Sequence, residues 1–536
     1  MVAGGSISAV LSGPAAGGGG LGSGGIGLTS SIGDQRFHRH DRGGRAPGGP
    51  GAAALDDFDT EEYAKIDENP FKNAADNPLS TFSIDVDTAS YSNVRRFLRD
   101  GALPPADAVR LEELVNYFTY EYPDPRGETP FSVTTELATC PWAPKHHLLM
   151  VGLQGRRMDT ASMPRNNLVF LMDVSGSMNS PDKLPLLKAA FRLLVDSLRP
   201  EDRVAIVVYA GAAGVVLPST PGSEKPRILE AIDRLSAGGS TAGGAGIQLA
   251  YQIAKEHLLD GGNNRVILAT DGDFNVGTSS TGALTRLIEE KRKDGIFLTV
   301  LGFGRHNTKD SRMEALADKG NGNYAYIDSV AEARKVLVTQ LGGTLLTIAK
   351  DVKIQVEFNP AKVAEYRLIG YENRLLARED FTNDAKDAGE LGAGHTVTAL
   401  YEIVPLSAVE GASAPTAAPA EPMKYSESMV RDSAKASPEL CTVNLRWKKP
   451  DGDTSTLETF PVLDRVRAIA ESSGDLRWAA SVALFGMALR GSELAAGAGL
   501  PLAAELARGA VGWDPGGYRT EFMELLKIAQ ELSRSR

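Results

Sequence analysis

A series of carboxylate and hydroxyl side chains follows an apolar segment that has the length of a buried strand. Residues 168–177 read Leu-Val-Phe-Leu-Met-Asp-Val-Ser-Gly-Ser, so Asp173, Ser175 and Ser177 occupy alternate positions directly after the apolar stretch. Alternate side chains lie on one side of a turn, where their oxygens can converge. Such oxygens are hard ligands that favour Mg²⁺, Mn²⁺ or Ca²⁺ over zinc. The spacing therefore indicates a candidate site for a divalent cation.

Two further oxygen donors follow at other points of the chain. Thr241 lies in the glycine-rich segment 238–244, and Asp271 comes directly after a second apolar run at 265–270. In open α/β sheets, ligands bind beyond the carboxyl ends of the strands. We therefore expect the two strand ends and the glycine-rich loop to meet at one edge of a sheet.

The surrounding sequence alternates between apolar runs typical of strands and amphipathic stretches typical of helices. This order predicts a doubly wound, mostly parallel sheet with helices on both faces. Beyond the two strands already described, strands are predicted at 203–209, 214–217 (antiparallel, at an edge), 296–302 and 324–327, and helices near 182–198, 224–235, 244–259, 281–293, 309–319 and 330–341.

These donors resemble the metal-ion-dependent adhesion site (MIDAS) of von Willebrand factor type A domains, called A domains below. The match comprises Asp173, Ser175, Ser177, Thr241 and Asp271. In that family the serines and the threonine lie near the metal, and the aspartates often act through water. The resemblance implies Mg²⁺, or Mn²⁺ or Ca²⁺, as cofactor, and a protein partner that supplies a carboxylate. The alternative is that Asp173 and Ser175 only cap the following helix.

A wider resemblance links the chain to the bacterial YfbK-like proteins. It covers residues 60–530, departs at the loop 305–311, and implies an A domain between two accessory modules, with no known enzymatic reaction. Relatives of this kind suggest the cell envelope or periplasm. The segments that carry the resemblance are Asn69-Pro70-Phe71, 78–91, 93–98, 109–118, Cys140-Pro141-Trp142, 269–277 and 316–328.

Segments with alternating apolar residues occur on both sides of the A domain, at 131–139, 351–358, 395–404 and 440–447. Alternation indicates strands with one buried face. We therefore predict that the A domain is inserted into a β-sandwich and followed by a helical region, in which Trp478, Phe485, Trp513 and Phe522 belong to the core. The predicted organisation is a disordered tail at 1–54, an N-terminal module at 60–160, the A domain at 165–343, a β-rich module at 350–462 with an Ala/Pro-rich loop at 408–423, and a helical module at 464–536.

One enzymatic interpretation competes with binding. Asp85 and Asp87 imitate the D-x-D-x-T nucleophile motif of haloacid-dehalogenase-like phosphatases, in which one aspartate attacks phosphorus. The preceding segment is short and polar at alternate positions, so we favour a structural role in which these residues cap the next helix or pair with an arginine. His306, considered as a candidate general base near the site, is interpreted as a surface loop residue.

Composition restricts the class of partner and leaves the compartment open. The net charge of −11 argues against nucleic acid and against an anionic membrane surface. The sequence shows neither a transmembrane segment nor a signal peptide, so the chain is cytoplasmic or its start is truncated or misassigned. Cys140 and Cys441 are the only cysteines, and they are either two buried thiols or a bridge across the sandwich.

Three functions remain open from the sequence. The first is a non-enzymatic interaction module that uses a divalent cation to bind an acidic residue of a partner. The second is a phosphatase centred on Asp85, and the third is a structural A domain whose metal only holds its loops together.

Overall fold

The computed structural model describes most of the chain from residue 61 onward. The predicted disordered tail at 1–54 and residues 410–423 of the predicted Ala/Pro-rich loop lie outside the described part. The described residues are 61–159, 163–239, 243–272, 281–305, 309–340, 346–386, 388–409, 432–495 and 497–535.

Residues 61–159, which precede the A domain, form four strands and two α-helices. The first turn of the first helix is fixed by the second helix, because the Ser90 N–H donates to Glu113 Oε2 at 2.8 Å. A carboxylate at this position also complements the positive end of the helix dipole. The elements are β1 Lys72–Asn73, β2 Leu79–Ser83, α1 Ala89–Arg99, α2 Leu111–Asn116, β3 Phe131–Thr139 and β4 His147–Gly155.

The A domain alternates strands and helices as predicted. The apolar stripe of its first helix packs on its first strand, and the rings of Phe170 and Phe191 meet edge to face with centroids 4.4 Å apart. The predicted helix at 330–341 begins as an α-helix and continues as a π-helical turn over Lys335–Thr339. The elements are β5 Asn166–Asp173, α3 Leu184–Ser197, β6 Arg203–Tyr209, β7 Ala213–Pro221, α4 Lys225–Asp233, α5 Gly243–Glu256, β8 Asn263–Thr270, α6 Thr281–Lys293, β9 Ile296–Phe303, α7 Asp310–Lys319, β10 Tyr324–Ile327 and α8 Val330–Arg334.

The A-domain strands form one six-stranded sheet in the order β10-β9-β8-β5-β6-β7. Every neighbouring pair is parallel except β6 and β7, which run antiparallel at the edge. The predicted doubly wound fold is therefore confirmed. The central strand β5 lies beside β8, with Met172 opposite Ala269, so that Asp173 and Asp271 leave the sheet at the same edge.

The described residues after the A domain form six strands and four α-helices. The strands complete two antiparallel sheets, and the last three helices form the helical region predicted at the C-terminal end. The elements are β11 Thr347–Phe358, β12 Val363–Ile369, β13 Gly389–Gly392, β14 Thr396–Pro405, α9 Asp432–Ala436, β15 Glu439–Lys448, β16 Ser455–Leu463, α10 Gly474–Arg490, α11 Leu500–Arg508 and α12 Tyr518–Arg534.

Strands from before and after the A domain share the same sheets. One sheet has the order β1-β12-β14-β4-β3, and in the other β2 pairs with β11 beside β13, β15 and β16. Met150 of β4 lies opposite Leu400 of β14, although the whole A domain separates them in sequence. The two sheets pack face to face through a sandwich core that includes Phe82, Leu149 and Val443. The predicted insertion of the A domain into a β-sandwich is thus confirmed.

The expectation of one buried face is wrong for β14, where all ten residues are buried. The helices α1, α2 and α10–α12 cover the outer face of this sheet and form a second, helix-side core. Successive residues of the neighbouring strand β4 alternate between the two cores: Leu149 points into the sandwich core, and Leu148 and Met150 point into the helix-side core. These elements therefore form three layers: the helices, the sheet that contains β14 and β4, and the second sheet of the sandwich.

The helix-side core contains three of the four aromatic residues predicted for it. Trp478, Phe485 and Phe522 are completely buried, and the Phe522 ring contacts the other two edge to face. Trp513 contradicts the prediction, because 79% of its surface is exposed. It lies between α11 and α12 in the segment Gly512-Trp513-Asp514-Pro515, which is outside both helices.

Both cysteines are buried, and neither takes part in a disulfide. Cys140 belongs to the helix-side core and Cys441 to the sandwich core, so the middle sheet separates them. In the described part of the chain, no helix combines the length and the apolar character that crossing a bilayer requires.

Candidate metal centre

Asp173 is the last residue of β5 and is held in place by the turn that follows it. Its Oδ1 accepts the backbone N–H of Ser175 at 2.8 Å, and the hydroxyl oxygens of Ser175 and Ser177 lie 3.0 Å apart. Asp173 and Ser175 are buried, whereas Ser177 is exposed. The three predicted donors therefore lie together, with one side open to solvent.

The alternative that these residues cap the next helix is not what the geometry shows. The residue that precedes α3 is Lys183, and the helix has no side-chain cap there. Asp173 instead bonds within its own turn, which leads into a short 3₁₀ helix over Gly176–Asn179. The Asp173 carboxylate therefore does not cap α3.

Asp271 follows the neighbouring strand β8 and is almost completely buried. Its Oδ2 accepts a charged hydrogen bond from Lys183 Nζ at 2.9 Å. Sequence reasoning identified Asp271 but missed Lys183. The only available signal was a lysine at the start of the helix that follows the first strand, and such lysines are usually exposed.

The glycine-rich loop that carries Thr241 approaches the same turn. Gly238 N–H donates to Val174 O at 2.8 Å, and Gly176 N–H donates to Gly239 O at 3.0 Å. Gly239 has a φ of +85°, a conformation that favours glycine. Thr241 itself lies outside the described residues, as does His306.

Burial raises the pKa of Asp173 to about 6, and the nearby Asp271 adds to this effect, while hydrogen bonds from Ser175 oppose it. The Tyr209 hydroxyl is also near this carboxyl and lowers its pKa. Asp173 Oδ2 is buried and makes no hydrogen bond of normal geometry with the described residues. A buried acceptor of this kind is costly unless it is paired, and a cation beside it would provide the missing partner.

The donor set fits a hard divalent cation. Within the described ranges, no three His, Cys, Asp or Glu side chains converge as a metal site would require. An ion here would thus depend on the serine hydroxyls together with the carboxylates. Oxygen ligands of this kind suit Mg²⁺, which keeps several coordination positions for water or for an outside ligand. The exposed side at Ser177 is where such a ligand could enter.

The two aspartates of the phosphatase-like motif lie elsewhere, at the junction of the N-terminal module and the A domain. The prediction that they pair with an arginine is confirmed: Arg374 Nη1 lies 3.1 Å from Asp85 Oδ2, and Arg374 Nη2 lies 3.5 Å from Asp87 Oδ2. Asp87 Oδ1 also accepts the Tyr324 N–H at 2.7 Å. Burial and the neighbouring Asp318 raise the pKa of Asp87.

These contacts join β2, the A domain and the segment after β12. Asp85 lines a cavity of about 520 Å³ together with Asp318, Arg374 and Glu390. Neither Asp85 nor Asp87 caps α1, since Thr88 precedes the helix without a side-chain cap. The ion pairs thus favour the structural role over that of a phosphorylated nucleophile.

Three parts of the chain match described families. Residues 167–340 match the family "von Willebrand factor type A domain", and residues 57–150 match "von Willebrand factor". Residues 343–532 match "Uncharacterized protein YfbK, C-terminal".

Similar proteins extend these matches. YfbK from Escherichia coli K12 is 44% identical over 477 residues, which cover 88% of this chain and 81% of that protein. The Synechocystis protein sll0103 is 30% identical over 31% of this chain and 39% of its own length. Among solved structures, the von Willebrand factor type A protein from Catenulispora acidiphila has a TM-score of 0.41 at 17% identity, covering 76% of this chain and 92% of its own. BatB from Bacteroides thetaiotaomicron has a TM-score of 0.29 at 23% identity, and the match covers 33% of this chain and 97% of BatB.

Proposed function

Because the chain belongs to the YfbK family of von Willebrand factor type A domain proteins, we propose that it is a metal-dependent interaction module. A divalent cation at the edge of the A-domain sheet binds an acidic residue of a partner protein. The single observation that carries the proposal is the buried Oδ2 of Asp173, which makes no hydrogen bond of normal geometry with the described residues and lies in the same turn as two serine hydroxyls.

Charge explains why the site would bind rather than catalyse. Hydroxyl ligands do not neutralise a divalent ion, so the ion keeps its attraction for an outside anion. Asp173 is held by Ser175 and Asp271 by Lys183, and neither is placed as a general base beside an open reaction site. A carboxylate from the partner completes the coordination shell and makes the binding depend on the metal.

We expect Mg²⁺ to be the physiological ion, with Mn²⁺ or Ca²⁺ able to replace it. Thr241 is the fifth proposed ligand, from the loop that hydrogen-bonds to the Asp173 turn through Gly238 and Gly239. The resulting set, Asp173, Ser175, Ser177, Thr241 and Asp271, contains only two carboxylates, so a bound divalent ion is left with little surplus negative charge around it that would repel a partner carboxylate.

Titration calorimetry with MgCl₂ or MnCl₂ tests the metal assignment directly. Wild-type protein should bind one ion, and Asp173→Ala should not bind it. Asp196→Ala is the matched control, because Asp196 is an exposed aspartate on α3 of the same domain. Equal affinity in wild type and Asp173→Ala contradicts the proposal.

A second measurement separates an interaction module from a domain in which the metal only holds loops together. Proteins retained from a native lysate in Mg²⁺ should be released by a chelator and should be absent when Asp173→Ala is used as bait. Metal binding that stabilises the protein without metal-dependent retention of any protein favours the purely structural role. Release of phosphate from p-nitrophenyl phosphate that is lost in Asp85→Asn would instead support the phosphatase.

A further inference from the structure

Lys183 provides a positive charge inside the candidate metal centre. It is the residue directly before α3, and its Nζ lies 2.9 Å from Asp271 Oδ2. Only 12% of the Lys183 side chain is exposed, and the Asp271 side chain is completely buried. This ion pair is therefore shielded from water, and its charges act on nearby groups more strongly than surface charges do.

The path that the lysine takes is built into the fold at Gly304, directly after β9. Gly304 has a φ of +83°, and a Cβ atom there would lie 2.3 Å from Lys183 Cε and 2.5 Å from Lys183 Cγ. The Gly304 carbonyl is fixed by the Tyr326 hydroxyl at 2.8 Å. The absence of a side chain at residue 304 thus gives the lysine stem a channel to Asp271.

We propose that Lys183 is a built-in competitor of the divalent cation for Asp271. The inference rests on the proposed metal function and concerns how that site is regulated. An ammonium group on a carboxylate that belongs to the metal site repels a divalent cation and occupies one of the two carboxylates that would attract it. A metal ion must therefore displace Lys183 or bind against its charge, so the site fills only at higher concentrations of free metal.

The first test compares metal affinities of the full-length chain by calorimetry with MgCl₂ and MnCl₂. Lys183→Met removes the charge and keeps most of the stem, and we expect at least about tenfold tighter binding. Lys183→Arg keeps the charge and should bind as weakly as wild type. Lys188→Met is the matched control: Lys188 lies on α3 and donates to the carbonyls of Asp233 and Leu235 instead of to the site.

Binding by Lys183→Met that is no tighter than binding by wild type overturns the inference and leaves the metal assignment standing. Tighter binding in both Lys183→Met and Lys188→Met also overturns it, because the effect would then be one of net charge. Absence of binding in wild type and in every variant overturns both the metal assignment and the inference.

A measurement on the wild-type protein tests the same inference without relying on a variant that could fail to fold. Amine acylation followed by peptide mapping reports how accessible each lysine is, and Lys188 serves as the internal reference. If the ion displaces Lys183 from Asp271, saturating MgCl₂ should raise the acylation rate of Lys183 severalfold relative to Lys188. An unchanged ratio at saturating metal overturns displacement of the lysine.

Discussion

Arg95 of α1 donates from Nε to Asp328 Oδ2 at 2.8 Å and thereby joins the N-terminal module to the end of the last A-domain strand. The same guanidinium pairs with Glu332 of α8 at 2.8 Å and with Glu521 of α12 at 3.0 Å. Only 2% of the Arg95 side chain is exposed. One buried cation thus connects three parts of the chain, and the A domain is anchored to its neighbours at the side formed by β10 and α8.

Removing this cation should be costly, because the buried carboxylates of Asp328 and Glu332 would lose the guanidinium that compensates their charge. We expect Arg95→Met to lower the free energy of unfolding by about 3–5 kcal/mol. Urea denaturation followed by circular dichroism measures the effect. The natural control is Arg99→Met, since Arg99 is half exposed and its ion pair among the described residues is with Glu521.

The control should cost no more than about 1 kcal/mol, as is usual for exposed ion pairs. Equal losses in the two variants would show that the buried network is worth no more than a surface pair. Loss of the A-domain transition alone would show that the two modules unfold separately.

The acidic cavity at Arg374 predicts a dependence of stability on pH. Burial, together with Asp85, raises the pKa of Asp318 to about 7, whereas an unfolded aspartate has a pKa of about 3.9. The folded protein therefore holds this proton more tightly than the unfolded chain does. The resulting stabilisation is fully present below about pH 4 and is lost as the pH rises through about 7.

The midpoint of urea denaturation of the wild-type protein should fall between pH 5 and pH 8. We expect this fall to be smaller in Asp318→Asn. Some dependence should remain, because burial and Glu372 also raise the pKa of Glu112 to about 7. Asp196→Asn, on the exposed face of α3, should leave the wild-type profile unchanged. A profile of Asp318→Asn that overlays the wild-type profile contradicts the prediction.

The position of Asp173 and Asp271 could be predicted from the sequence, and the pairing of Asp271 with Lys183 could not. Two apolar runs that end in aspartate are enough to place both residues at one sheet edge, because parallel strands fix that edge. The pairing of Lys183 with Asp271 depends on the path of the lysine over Gly304, which belongs to a strand end far along the chain. No local pattern encodes such a path.

Long-range packing explains the other differences. The sequence left helix capping and pairing with an arginine open for Asp85 and Asp87. It could not identify the arginine as Arg374, which lies beyond the A domain. It also predicted one buried face for the strand at 395–404, because alternation along one strand does not reveal that helices cover its outer face. The helices that do so come from both ends of the chain.

Trp513 shows that composition alone does not assign a residue to the core, and it offers a matched comparison with Trp478. Trp478 is completely buried, whereas 79% of Trp513 is exposed. We expect Trp478→Ala to cost about 3–5 kcal/mol of unfolding free energy and Trp513→Ala to change it by no more than about 0.5 kcal/mol. Thermal or urea denaturation measures both. A large loss of unfolding free energy in Trp513→Ala would mean that the Trp513 side chain is packed against other residues in solution.

The cysteines give a prediction about chemical reactivity. Burial raises the pKa of both thiols, so the reactive thiolate is scarce as well as shielded. We expect iodoacetamide to leave Cys140 and Cys441 unmodified in the native protein and to modify both in denaturant without reductant. Peptide mapping distinguishes the outcomes, and a requirement for reductant would demonstrate a bridge.

Metal binding at the Asp173 turn should appear as stabilisation, since a ligand that binds only the folded state shifts the unfolding equilibrium. At a free Mg²⁺ concentration of 100 times Kd the expected gain is about 2.7 kcal/mol. Chelator should reverse the gain, and Ser175→Ala should lose most of it. Ser180→Ala is the control, because its hydroxyl donates to Asp182 outside the donor set. Both variants remove one hydroxyl from the same segment, but only Ser175 lies beside Asp173 and Ser177. Equal stabilisation of Ser175→Ala and Ser180→Ala by Mg²⁺ would therefore show that the ion binds elsewhere.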